Sequence, residues 1–263
     1  MADWEENVRR VVPYTPGEQP KRNDIIKLNT NECPYPPAPG VTKALQEFEA
    51  DKLRLYPDPA ALELREAIAA AVSVPEHPVA ADQVFVGVGS DDVLELAFLT
   101  FFNSKKPILF PDITYSFYDV CADLYGIPYR PPELDEKFRL QKEDYLSEKG
   151  SIIFPNPNAP TGLMENLDTI EEIVAKNPDS VVIVDEAYVD FGGVSALPLV
   201  DKYENLLVVQ TFSKSRALAG MRIGFAIGQK KLISYLNDVK FSFNSYTMNR
   251  LTIACGKACV EDR

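Results

Sequence analysis

The chain has 263 residues, enough for one large domain or for one domain and a fragment of another. Its 46% hydrophobic and 25% charged content excludes general disorder, and a net charge of -12 argues against a general affinity for nucleic acid or anionic membranes. No apolar run approaches the roughly 20 residues of a membrane span. The acidic start Met1-Ala2-Asp3-Trp4 lacks the basic-then-apolar order of a signal peptide, so the expected compartment is cytoplasmic.

Residues 1–40 carry Pro13, Pro16, Pro20, Pro34, Pro36, Pro37 and Pro39 and read as an extended arm laid over other structure. Residues 41–263 read as one domain. A helix is expected from Val41 to about Glu49, then a rigid turn at Tyr56-Pro57-Asp58-Pro59, then a helix from Ala60 to Val72. Val84–Val86 is a predicted strand and Asp91–Phe102 a helix. The alternation continues with strand Pro107–Phe110, helix Tyr115–Tyr125, strand Ser151–Phe154, helix Leu167–Lys176 and strand Ser180–Val184. Leu206–Gln210 and Ile223–Ile227 supply two more strands, and helices are expected over Lys230–Lys240 and Thr247–Val260. Short apolar strands alternating with amphipathic helices indicate an α/β fold, with a mainly parallel mixed sheet covered by helices on both faces.

Cys33, Cys121, Cys255 and Cys259 have no histidine near them in sequence, so reduced structural thiols are expected and no metal site. His77 is the sole histidine and lies in a loop-like stretch, which excludes a Ser-His-Asp scheme. Small-molecule chemistry must therefore come from other groups.

Five junctions offer them. Val84-Phe-Val-Gly-Val-Gly89 runs from strand through glycine turn to a helix at Ser90, whose first N–H groups, at Ser90, Asp91 and Asp92, would face an anion. Many such junctions bind nothing, and here the carboxylates of Asp91 and Asp92 would have to point away from the anion. After the next strand, Tyr115 is either filler or a ring for stacking on a planar cofactor. Asn156-Pro-Asn158-Ala159-Pro160 is a proline-stiffened turn with a candidate cis bond before Pro160, or a source of an amide donor. Asp185, at the carboxyl end of a strand, either caps the following loop or binds a ligand where open α/β sheets hold one. Beside a lysine it could keep a pyridine nitrogen protonated, with Tyr188 donating to a ring oxygen. Last, Lys214 follows an apolar strand between the hydroxyls of Thr211 and Ser213, with Gly220, Arg222 and Gly224 close behind. That grouping suits a Schiff base with an aldehyde cofactor whose phosphate the same segment holds, Arg222 pairing in fork geometry. The glycine turn lacks a third glycine and a Walker lysine, so neither nucleotide-loop pattern is met.

In this order the segments resemble fold-type I pyridoxal-phosphate-dependent aminotransferases, and within them the histidinol-phosphate aminotransferases. The narrower likeness rests on Pro13-Tyr-Thr-Pro-Gly17, Lys27-Leu-Asn-Thr-Asn-Glu32 and Tyr56-Pro-Asp-Pro59. The resemblance implies Lys214 as the cofactor-bearing lysine and proton-transfer base, Asp185 on the pyridine nitrogen, Tyr188 on the ring oxygen and Tyr115 stacked on the ring. Ser90, Asp91 (through its backbone), Thr211, Ser213 and Arg222 would cradle the phosphate of pyridoxal 5'-phosphate. Tyr56 would reach the phosphate of a neighbouring subunit, implying a homodimer, and Tyr14 and Asn31 would line the substrate pocket. The family often has asparagine just before Pro-Thr-Gly; here that slot is Ala159, and Asn158, one residue early, is assigned to the cofactor oxygen. The resemblance also implies a smaller C-terminal domain with an arginine for the substrate carboxylate, which residues 41–263, read as the cofactor-binding large domain, lack or carry only in part. The implied reaction is amino transfer in histidine synthesis, with a donor such as glutamate loading the cofactor and imidazole-acetol phosphate exchanging with histidinol phosphate. Alternatives are an aromatic aminotransferase or phospho-amino-acid decarboxylase on the same scaffold, or a cofactor-binding chain with little turnover.

Overall fold

Strands made of apolar residues in succession have no polar face to give to water, so both faces must be covered. The computed structural model describes residues 3–22, 24–147 and 150–262, and the expected arm includes Met1, Ala2 and Asn23, which lie outside them. The strands are β1 (Val84–Gly87), β2 (Ile108–Leu109), β3 (Tyr129–Arg130), β4 (Ile152–Pro155), β5 (Val182–Asp185), β6 (Leu206–Thr211) and β7 (Gly224–Gly228). They form one seven-stranded sheet in the order β1-β7-β6-β5-β4-β2-β3. Only β7 runs against its neighbours; β2 to β6 pair in parallel. The expected mainly parallel mixed sheet is the one observed.

The helices are α1 (Pro39–Glu47), α2 (Leu62–Val72), α3 (Ser90–Phe101), α4 (Phe117–Tyr125), α5 (Lys142–Ser147), α6 (Leu167–Lys176), α7 (Lys230–Phe243) and α8 (Arg250–Glu261). Alternate strand residues face opposite layers, as the two-residue period requires. Val182 and Val184 of β5, with Leu206 and Val208 of β6, pack in one core with α2, α6 and α8. Ile183, Leu207 and Val209 point the other way, into a core built with α3, α4 and α7.

Several boundaries move for local reasons. Helix α2 starts at Leu62, not Ala60, because the carboxylate of Asp58 accepts the N–H groups of Ala60 and Leu62 and fixes the turn outside the helix. Helix α8 starts at Arg250 because Asn249 caps it, its side chain accepting the N–H of Thr252 at 2.8 Å. Strand β3 and helix α5 were not expected: two residues at a sheet edge and a six-residue helix are too short to carry a period. None of the described helices is long and apolar enough to cross a membrane.

Candidate active site

The registers bring the chemical junctions to one edge of the sheet. Asp185 lies opposite Pro155 on β4 and Val209 on β6, while Gly224 lies opposite both Gly87 and Thr211. Because β7 is reversed, its first residue meets the carboxyl ends of the others. A cavity of about 130 Å³ opens there, lined by Ser90, Asp91, Tyr115, Asp185, Tyr188 and Lys214, and by Thr211, Ser213, Arg222 and Ala159.

Lys214 stands on the loop after β6, and that loop is clamped. The N–H of Phe212 donates to Ile223 and that of Leu218 returns to Phe212, both at 2.9 Å. Arg216 spreads over the rings of Phe212 and Phe225 and pairs with Asp190 at 3.3 Å, while Ser215 also bonds Asp190. The lysine is therefore the free-reaching member of a fixed loop. Its Nζ donates to the carbonyl of Thr30 on the arm at 3.0 Å and lies 5.5 Å from the ring centre of Tyr188.

Asp185 is buried at the floor of the cavity. Its Oδ2 accepts from the hydroxyl of Tyr118 at 2.7 Å and its Oδ1 from the N–H of Ala187 at 3.1 Å. Burial pushes its carboxyl up to about 6, against the opposing pull of the Tyr118 hydroxyl. The next residue, Glu186, accepts from Ala196 N–H, Ser195 Oγ and Gln210 Nε2, tying the segment after β5 to β6.

Opposite this pair the turn before α3 forms a cradle. Gly89 is at φ 91°, and a Cβ there would meet the guanidinium of Arg222. A Cβ on Gly224 would collide with the backbone of Gly89 and Ser90. The first N–H groups of α3 have no partner within the helix, and Gly89 offers no side-chain cap. The two expected carboxylates part company here. Asp92 folds back to accept the N–H of Val88 at 2.8 Å, whereas Asp91 lines the cavity, accepts from Tyr115 at 3.0 Å and lies 3.9 Å from Arg222 Nη2. The expectation that both point away from the anion therefore fails for Asp91: the Tyr115 hydroxyl and the Arg222 charge hold it at the cavity wall.

The remaining expected residues divide. Asn31 donates to the hydroxyl of Tyr188 at 2.9 Å, and Tyr14 meets Tyr115 edge-on at 6.2 Å, so the arm reaches the site. Tyr56 is exposed, its ring tilted against that of Tyr246 with centroids 4.7 Å apart, and it does not line this cavity. Asn158 is a correction. Its oxygen accepts from Thr114 Oγ1 at 2.9 Å and its nitrogen donates to Ile113 O and Thr161 Oγ1, so the amide is spent on the loop. The methyl of Ala159 lines the cavity instead. The bond before Pro160 is cis, as is that before Pro157. Tyr118 was not singled out from the sequence, although its place three residues after Tyr115, one helical turn on, puts it on the same side.

A lysine and a buried carboxylate facing one cavity at the carboxyl edge of an α/β sheet, beside a backbone cradle with an arginine, define an enzyme of the aldehyde-cofactor type. Comparison with known proteins narrows this. Residues 23–262 match the family model for aminotransferase class I and II, and the chain belongs to that family. It is 56% identical over 259 residues to histidinol-phosphate aminotransferase 1 of Hydrogenovibrio crunogenus, covering 98% of this chain and 71% of the relative. It is 54% identical over 260 residues to histidinol-phosphate aminotransferase of Chromohalobacter salexigens, covering 99% and 72%. Its fold is similar to the crystal structure of histidinol-phosphate aminotransferase from Sinorhizobium meliloti in complex with pyridoxal-5'-phosphate, with TM-score 0.78 and 22% identity over 89% of this chain and 63% of that one.

The cavity fits that cofactor by its own chemistry. It holds an amine for the aldehyde, a buried acid for a basic ring nitrogen, and a glycine-walled cradle with Arg222 for a phosphate. Gly224→Ala should widen this cradle, since backbone on both sides cannot yield. We expect about 1–3 kcal/mol lost from stability, the overpacking range, and at least tenfold weaker cofactor binding. Thermal unfolding and an absorbance titration with pyridoxal phosphate measure the two, and unchanged affinity would show the close approach to be immaterial.

Proposed function

We propose that this protein is a pyridoxal-phosphate-dependent aminotransferase exchanging an amino group between the pair glutamate and 2-oxoglutarate and the pair histidinol phosphate and imidazole-acetol phosphate in histidine biosynthesis. The observation that carries this reading is Lys214 and Asp185 facing one cavity, and the identities above 50% to named relatives support the substrate. Bound pyridoxal phosphate supplies an aldehyde that captures the amine and a ring that draws electron density from the substrate carbon.

The chain's residues do the rest. Lys214 takes the proton from the substrate carbon and returns it to the neighbouring cofactor carbon. Asp185 holds the ring nitrogen protonated. Tyr188, already sharing a hydrogen bond with Asn31, is placed to donate to the ring oxygen. With Asn158 committed to its loop, Tyr188 carries that task without the Asn158 amide. Backbone N–H groups of Ser90 and Asp91, the hydroxyls of Thr211 and Ser213, and Arg222 bind the phosphate, with Asp91 giving up its hold on Arg222 as the phosphate arrives. Tyr115 covers the ring, and Tyr14 and Asn31 line the substrate side. Residues 41–263 are the cofactor-binding domain, which the arm meets at Tyr14, Thr30 and Asn31. The protein acts in the cytoplasm as a homodimer, in which the exposed Tyr56 serves the partner's phosphate.

The test is steady-state transfer from histidinol phosphate to 2-oxoglutarate, set against aromatic amino acids and phosphorylated amino acids as donors. Histidinol phosphate should have the highest kcat/KM. A preference for an aromatic donor, or release of carbon dioxide, would move the protein to another activity on this scaffold.

A further inference from the structure

Tyr118 is wholly buried on α4, and its hydroxyl meets Oδ2 of Asp185, which lines the cavity, at 2.7 Å. The second oxygen of Asp185 is taken by the N–H of Ala187, from a different element. Two donors on two oxygens fix the plane of the carboxylate, and each oxygen keeps capacity to accept one more bond. The turn that supplies Tyr118 also supplies Tyr115, whose ring lies edge-on at 5.8 Å, and the N–H of Tyr118 closes that turn on the carbonyl of Tyr115. One structural unit thus sets both a wall and the floor of the cavity.

We propose that Tyr118 is a positioning residue for the cofactor's ring nitrogen: its hydroxyl orients the Asp185 carboxylate with which that nitrogen pairs. This rests on the functional reading above. The carboxylate is faced by Tyr118 from α4, Tyr115 at the start of the same turn, Asp91 from α3, Lys214 beyond β6, and its chain neighbour Glu186. Burial and Asp91 push its pKa up; the Tyr118 hydroxyl, the Ala187 N–H and Lys214 pull it down, with Tyr118 the strongest of these. The result lies at about 6, so the acid is ionised at neutral pH by a modest margin. Tyr118 does not surrender its own proton, because burial beside Asp185 raises its pKa well above the ordinary value. It therefore donates throughout the working pH range.

The test uses Tyr118→Phe, which keeps the ring packed against Phe98 and Phe110. In the cofactor-free protein, the Asp185 carboxylate is titrated by infrared difference, its signal identified by subtraction of Asp185→Asn. The midpoint should rise from about 6 by about one pH unit on losing a bond to a charged group. Pyridoxal phosphate should bind about tenfold more weakly, and the acid limb of kcat/KM should move up in parallel. In an Asp185→Asn background the same substitution should change affinity less than about twofold, because the two side chains act as one unit. Should Tyr118→Phe fold poorly, 3-fluorotyrosine at position 118 keeps the shape with a stronger donor, and the midpoint should fall. An unmoved midpoint in either variant, or equal losses of affinity in both backgrounds, overturns the proposal. Absence of a borohydride-stable adduct on Lys214 in the unaltered chain would instead overturn the cofactor reading, and this role with it.

Discussion

Lys214→Ala should lower transamination by about 10⁴-fold or more, because in the proposed mechanism one amine both carries the cofactor and moves the proton. Proton transfer alone is worth about 10²–10⁴-fold, and loss of the covalent link adds to it. The other cationic group lining the cavity, Arg222, is a guanidinium, a donor with no acceptor capacity to offer. Stability should change little. Lys214 is half-buried and makes one hydrogen bond, to Thr30 O, a loss of about 1 kcal/mol. The same bond links site to arm, so the variant should also loosen the segment around Thr30 and raise its amide exchange. The decisive measurement is borohydride treatment with peptide mapping, alongside single-turnover rates. A reduced adduct elsewhere, or turnover within tenfold of the unaltered chain, would remove Lys214 from its role.

The site was legible wherever a chemical residue sits at the end of a strand, because strand ends are marked by apolar runs that stop. Asp185 after Val182–Val184 and Lys214 after Leu206–Thr211 are such cases, and the registers place both at one edge. What the sequence did not carry was the direction of individual side chains. Asn158 was placed one residue from the expected slot, and only the hydrogen bonds to Ile113, Thr114 and Thr161 reveal that its amide faces its own loop. Asp91 and Asp92 are adjacent and identical in type. Their divergence depends on Tyr115 and Arg222, which lie far along the chain. Tyr118 was silent for a related reason: a tyrosine inside an apolar helical pattern reads as core, and its hydroxyl partner is 67 residues away. The close approach of Gly224 to Gly89 likewise arises only when β7 is inserted, reversed, between β1 and β6.

Asp185→Asn should separate function from stability in opposite directions. On the proposed reading, the buried carboxylate pairs with the ring nitrogen and keeps the ring positively charged. An amide leaves that charge uncompensated, and we expect kcat to fall by about 10²–10³-fold, the scale for losing a preorganised electrostatic partner. In the cofactor-free protein the same acid is a burden. An unfolded aspartate ionises near 3.8 and the folded one at about 6, so between these values the folded state holds the extra proton and stability falls as pH rises. Above about 6 the penalty is constant, and two pKa units correspond to about 3 kcal/mol. The amide avoids this penalty while its oxygen can still accept from Tyr118 or Ala187. Cofactor-free Asp185→Asn should therefore be more stable than the unaltered chain at pH 7.5, by about 1–3 kcal/mol, and the gap should close toward pH 4. Denaturant unfolding at the two pH values, with turnover measured on the cofactor-loaded protein, reads both arms. A variant both inactive and less stable at pH 7.5 would show that Asp185 serves the fold, since only a group held against its own solvation for the sake of a ligand gains stability when neutralised.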